Sequence, residues 1–141
     1  MNNHFQISYV LVRKQQTQKM KLCSTCNIYR PLRTSHCGEC GVCVERMDHH
    51  CPWVGTCIGK KNYAYFYLFI FSLFILIATT IVMCIMVMVG SEDDPTDFGD
   101  RLKNYPFSII LVLFPCIEGF VFVGILLGFH TYLLIIDQTT K

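Results

Sequence analysis

Seven cysteines and three histidines fall between Cys23 and Cys57, a stretch of 35 residues. They read Cys23-x2-Cys26-x9-His36-Cys37-x2-Cys40-x2-Cys43-x4-Asp48-His49-His50-Cys51-x5-Cys57. Six of the cysteines, with His36 and His50, make eight soft or borderline ligands, enough for two tetrahedral zinc ions. Each CxxC turn can set two thiolates about 2.3 Å from one ion. Spacing leaves the pairing of these ligands open. An interleaved arrangement, with the second pair starting inside the first loop, would make a compact double site. A zinc ribbon that only docks other proteins fits the same spacing.

Cys51 is then left over, with Asp48 and His49 just ahead of it. A nearby zinc and a protonatable histidine both favour the thiolate, the reactive form of the side chain. His49 could serve as general base, and Asp48 could orient its ring and stabilise the imidazolium. Contacts between residues so close in sequence call for a sharp bend, which metal anchoring through His50 and Cys57 could supply. The plain alternative is that Cys51 is one more ligand or an inert thiol. A free thiol held by metal beside an apolar segment suggests nucleophilic chemistry on a lipid-linked substrate.

The elements that must position this chemistry divide the chain sharply. Residues 1–21 are polar and basic and read as a juxtamembrane segment. Residues 22–62 hold the cysteine-rich module, which has few consecutive apolar residues, so metal must take the place of a hydrophobic core. Residues 63–89 carry no charge over 27 positions, roughly 40 Å of helix against a hydrocarbon core of ~30 Å, and are expected to span a membrane. Residues 90–105 are acidic and rich in helix breakers and read as a loop. Residues 106–136 are a second expected span, with Pro115, Gly119, Gly124 and Gly128 inside it, which membrane helices tolerate. Residues 137–141 leave the bilayer again.

The apolar fraction of 52% exceeds the roughly 45–50% of soluble domains. The formal net charge of +2, with no basic stripe, argues against nucleic acid as a partner. Nine cysteines in a secreted chain would suggest disulfides, but paired CxxC spacings with histidines fit metal in a reducing compartment. Basic residues support that placement. Nine lysines and arginines from Arg13 to Lys61 precede the first span, whereas the inter-span loop has Arg101 and Lys103 against five acids. The positive-inside rule then puts the zinc module and both termini in the cytosol. Glu118 is an acid inside an apolar span and marks a functional position by default. Trp53, two residues past Cys51, could insert among lipid headgroups.

From Cys23 to Phe66 the chain closely resembles the cysteine-rich domain of the DHHC family of protein S-acyltransferases. The hallmark stands as Asp48-His49-His50-Cys51, followed by Pro52, Trp53, Cys57, Gly59, Asn62 and Phe66, with Arg30-Pro31-x-Arg33-x2-His36-Cys37 upstream. The resemblance implies that Cys51, assisted by His49 and Asp48, takes a fatty acyl group such as palmitoyl from acyl-CoA. It then passes that group to a cysteine of a protein substrate. It also implies one structural zinc on Cys23, Cys26, His36 and Cys43 and a second on Cys37, Cys40, His50 and Cys57. Arg30, Arg33, Lys60 and Lys61 become candidates for the CoA phosphates, with lipid-headgroup anchoring an alternative for the two lysines.

The wording around the hallmark is similar to the subgroup that includes the yeast Ras palmitoyltransferase. That similarity suggests small GTPases among membrane-associated substrates with cytosolic cysteines, an accessory subunit, and residence in Golgi or ER membranes or the plasma membrane. The implied fold is a membrane all-α bundle of four helices with a small, loop-rich zinc domain. Two of those helices are matched here, so the resemblance leads to the expectation of a piece of a longer protein or a truncated isoform. Such a chain could also be a zinc-and-membrane adaptor without turnover. Thr139-Thr140-Lys141 stands where the family has Thr-Thr-x-Glu, and Thr56 where it usually has Asn.

Overall fold

The computed structural model describes residues 10–13, 16–90, 97–104 and 106–140. Residues 1–9 and 14–15 of the expected polar segment, 91–96 and 105 of the expected loop, and Lys141 lie outside the described residues. The chain forms two compact units, Met1–Ala64 with Gln138–Lys141, and Tyr65–Asp137.

The first unit is built of antiparallel hairpins. β1 (Val10–Arg13) pairs with β2 (Gln16–Lys19), β3 (Lys21–Cys23) with β4 (Ile28–Arg30), β5 (Thr34–Cys37) with β6 (Val42–Glu45), and β7 (His49–Cys51) with β8 (Thr56–Ile58). The expected loop-rich module runs its loops between short strand pairs joined by tight turns. The CxxC turns explain it. Asn27 and Gly41, each directly after the second cysteine of a pair, take positive φ (52° and 66°), a conformation that asparagine and glycine adopt at least cost. The chain reverses there, and the flanking residues pair. The apolar core is small: Cys37, Met47 and Cys57, with Cys40 and Val44 against them. The β1–β2 hairpin falls in a segment whose sequence suggested no element.

The second unit is helical. α1 (Tyr63–Val89) runs without interruption and ends at Gly90 (φ 79°), whose N–H donates to the Met86 carbonyl 2.9 Å away. α2 (Phe98–Asn104) lies where the sequence suggested only a loop. Asp97 accounts for it: its side chain accepts from the Gly99 N–H at 3.2 Å and its carbonyl from the Arg101 N–H at 3.1 Å, an N-cap that starts a turn of helix. The buried Arg101 guanidinium fills the space over Gly90 and donates to the Val87 carbonyl at 3.0 Å, satisfying an open acceptor at the end of α1.

The second apolar segment is not one uniform helix. α3 (Pro106–Ser108) passes through a π-helical turn (Ile109–Leu113) into α4 (Phe114–Ile135). Pro115 has no N–H and crowds the carbonyl one turn back, which a widened turn relieves. α1 and α4 pack antiparallel. Phe74 stacks on Phe120 with ring centroids 4.7 Å apart, Tyr67 and Thr131 share a hydroxyl hydrogen bond of 2.9 Å, and buried His130 meets the edge of Phe66. Gly124 lets Phe74 in close, since a Cβ there would lie 3.3 Å from its ring. Two stretches, Tyr63–Val89 and Leu111–Ile135, are long and apolar enough to cross a membrane.

Candidate metal centres and the Cys51 site

The hairpins assemble the ligand sets by a relay. On β5 and β6, His36 lies directly across from Cys43; on β7 and β8, His50 lies directly across from Cys57. Cross-strand neighbours share a face, so each hairpin offers one histidine and one cysteine side by side. The CxxC turn of the preceding hairpin supplies the other two ligands. Cys23 and Cys26 join His36 and Cys43, while Cys37 and Cys40, from the β5–β6 turn, join His50 and Cys57; within each set the ligand atoms all lie within 4.8 Å of one another. This is the interleaved arrangement.

The geometry fits zinc. Ligands 2.0–2.3 Å from a tetrahedral ion stand roughly 3.3–3.8 Å apart. In the first set, the His36 Nδ1 is 3.3 Å from Cys26 Sγ and 3.8 Å from Cys43 Sγ. In the second, His50 Nδ1 is 3.3 Å from Cys40 Sγ and 3.7 Å from both Cys37 and Cys57 Sγ. Both rings therefore turn Nδ1 to the thiols, which spacing did not specify. In each CxxC turn the backbone N–H of the second cysteine points at the first sulfur, at 3.5 Å for Cys26 and 3.4 Å for Cys40.

The thiols also need a cation. The Cys40 backbone N–H, then the Cys57 side chain, lower Cys37 to about 7. Desolvation and its sulfur neighbours push Cys57 up to about 12. In the first set Cys23 is lowered, chiefly by the Cys26 N–H, and Cys43 is pushed up to about 12, chiefly by desolvation. Cys43 and Cys57 thus keep their protons at neutral pH until a positive ion compensates the gathered charge. Four nitrogen and sulfur donors per site, with no position reserved for water, is the pattern of structural rather than catalytic zinc.

Cys51 sits on β7 with His50, yet belongs to neither set. The sharp bend expected around it is absent. β7 is a strand, and its alternation does the separating: His50 faces Cys57 and the second ligand set, while His49 and Cys51 share the opposite face, about 6.5 Å apart along the strand. The His49 Nδ1 is 2.7 Å from the Asp48 Oδ2, and Asp48 is fully buried. The other Asp48 oxygen accepts the Thr140 N–H at 2.9 Å, and its backbone carbonyl accepts the Thr140 hydroxyl. A carboxylate fixed in this way holds the proton on Nδ1 and leaves Nε2 of His49 with the lone pair. Cys51 is buried, at 4% exposure, and lies across from Thr56. Past it, Trp53 stands 88% exposed at the tip of the β7–β8 turn.

Two supports were not anticipated as such. Asn62 accepts from the Gly59 N–H and donates to the Cys57 carbonyl, both at 2.9 Å, tying β8 to the start of α1. Gly59 packs so closely that a Cβ would meet Val44 Cγ1 at 2.8 Å. Asn62 and Gly59 stood in the motif, but motif spacing carries no packing partner. The four basic candidates do not share one cleft. Arg30 and Arg33 line a cavity of about 270 Å³ with Lys21, Thr34 and Ser35, whereas Lys60 and Lys61 line one of about 610 Å³ near β6 and β8. Lys60 pairs there with Glu45 at 2.5 Å.

The fold and site together define a cysteine-rich module with two ligand sets able to hold zinc, joined to apolar helices. Residues 16–141 match the model of the DHHC palmitoyltransferase family, and the chain belongs to that family. Over 126 residues, 89% of the chain, it is 47% identical to palmitoyltransferase ZDHHC14 of Homo sapiens and 48% identical to palmitoyltransferase ZDHHC9 of Bos taurus. It is 45% identical to palmitoyltransferase ZDHHC18 of Mus musculus. The matched part is 25%, 34% and 33% of those proteins, so the chain spans about a quarter to about a third of their length.

Proposed function

We propose that the chain carries the acyl-transfer centre of a protein S-acyltransferase, with Cys51 as nucleophile. The observation that carries this is the two-faced strand: His50 is turned to the second metal set while His49, held by Asp48, shares a face with Cys51. In the first step His49 Nε2 takes the Cys51 proton. The Cys51 sulfur attacks the thioester carbonyl of a fatty acyl-CoA, the carbon–sulfur bond to CoA breaks, and CoA leaves with the proton from His49. In the second step a substrate cysteine attacks the Cys51 thioester, and the Cys51 thiol is regenerated. Asp48 keeps the ring oriented and offsets the charge of the imidazolium. The two zinc ions would be structural, held by Cys23, Cys26, His36 and Cys43 and by Cys37, Cys40, His50 and Cys57. Arg30 and Arg33, in one cleft, suit a phosphate group better than Lys60, whose charge is paired with Glu45.

The apolar stretches Tyr63–Val89 and Leu111–Ile135 support residence in a membrane, where the lipid substrate is concentrated. On this reading they belong to a four-helix bundle in an endomembrane, with the zinc module in the cytosol. The substrates are membrane-associated proteins with cytosolic cysteines, small GTPases among them, and an accessory subunit assists. A second reading, a membrane zinc adaptor that binds without turnover, is favoured by one observation, the burial of Cys51. Single-turnover kinetics in membranes separates the two. An enzyme releases one CoA per chain in a burst that Cys51→Ala abolishes; an adaptor binds acyl-CoA with no burst.

A further inference from the structure

We propose that the outward face of α4 around Glu118 docks a partner transmembrane helix that carries a lysine or arginine at the depth of Glu118. The proposal rests on the reading of α1 and α4 as membrane spans. Glu118 is the only Asp, Glu, Lys or Arg between Leu111 and Ile135, seven residues in from Leu111, about 10 Å along the axis. It is exposed, and among the described residues it has no hydrogen-bond or ion-pair partner. Its orientation is set by the packing of α4. Phe120, Gly124 and His130 meet Phe74 and Phe66 of α1 from the other side of the helix. Glu118 therefore points away from the α1 contact.

The residues around it form a seam. Leu111, Phe114, Phe122 and Ile125 are 67%, 60%, 64% and 70% exposed, and with Glu118 they follow steps of three and four residues, the spacing with which one helix packs along another. An apolar stripe alone would suit lipid equally well. The carboxylate does not, because lipid tails offer it neither charge nor donor. The face thus presents a carboxylate in an apolar surround, and a cationic side chain complements it. A second copy does not: α1 and the Leu111–Ile135 stretch contain no lysine or arginine, so it would bring only another carboxylate.

The whole chain, fluorescently labelled in phosphatidylcholine vesicles, tests this by energy transfer to synthetic 20-residue leucine–alanine helices with one central lysine or, as control, one central leucine. The lysine helix should associate at least tenfold more tightly, and both Glu118→Gln and Glu118→Leu should remove that preference. Equal association of the two helices, or a preference that survives Glu118→Leu, overturns the proposal. Self-association lost in Glu118→Leu would assign the face to a second copy, and so overturn it too. Alkaline carbonate extraction keeps the layers apart: a chain that stays in the vesicles without lysine preference refutes the docking face alone. A chain that is extracted refutes the membrane reading beneath it.

Discussion

His49, His50 and Cys51 are consecutive, yet they serve different ends because a strand turns alternate side chains to opposite faces. On the proposed reading, that one property lets a metal ligand sit between a base and a nucleophile. Asp48 completes the arrangement through a ring contact on one oxygen and a Thr140 N–H on the other. Asp48→Asn tests the role of the charge. An amide can offer its NH2 to Nδ1, which would move the ring proton to Nε2 and remove the base. Acyl loading in a single turnover should then fall by about 10²–10⁴-fold, while zinc content stays at wild type. Loading unchanged in that variant would mean that Asp48 serves only to fold the segment. The hallmark residues were legible in the sequence, but the Thr140 contact, 92 residues away, was not. No periodicity links positions that meet only through the path of the backbone.

Among the elements, hairpins and helices became legible to different degrees for a physical reason. α1 needs only an uninterrupted apolar run, and composition states that directly. The strands of the zinc module are three or four residues long and arise from reversals, at a CxxC turn in β3–β4 and β5–β6 and at Gly55 (φ 63°) in β7–β8, so propensity alone gave no sign of them. α2 was hidden by its acidic setting, in which Asp97 is a cap and not a breaker. Close packing makes two glycines testable. Gly59→Ala would force a Cβ against Val44 and the Glu45 carbonyl, 3.0 Å away, and should cost about 1–3 kcal/mol. The denaturant midpoint for zinc release should fall accordingly. Gly90→Ala meets both a positive φ of 79° and the Arg101 guanidinium, so it should lower thermal stability of the helical unit by at least ~1 kcal/mol. A neutral result at Gly90 would mean that Arg101 does not sit at the end of α1.

The whole molecule replaces a large core in its cysteine-rich unit with two linked metal sets. The β5–β6 hairpin belongs to both, since it gives His36 and Cys43 to one and Cys37 and Cys40 to the other. The relay explains why spacing could supply the ligands without their pairing: the choice is made between hairpins. Losing either ion should therefore loosen the other, and Cys23→Ser should speed chelator extraction of the second zinc as well as abolish the first site. The pH dependence has a definite sign. Cys43 and Cys57 carry protons until about pH 12 in the metal-free fold, so zinc uptake at neutral pH must expel them, and apparent affinity should rise with pH. In the metal-free fold Cys37 also takes its proton below about 7, so apparent affinity should fall more steeply with acidification there. Competition with a chromogenic chelator across pH 5.5–8.5 would read both trends, and pH-independent affinity would count against thiolate ligation.

The most direct test is peptide-level mapping of the acyl group. Membranes bearing the chain would be supplied with alkynyl palmitoyl-CoA, and the label located by mass spectrometry among the nine cysteines. If Cys51 is the nucleophile, a hydroxylamine-labile thioester should sit on Cys51 and vanish in Cys51→Ala with zinc retained. Label confined to Cys84 or Cys116, or undiminished in Cys51→Ala, would contradict it.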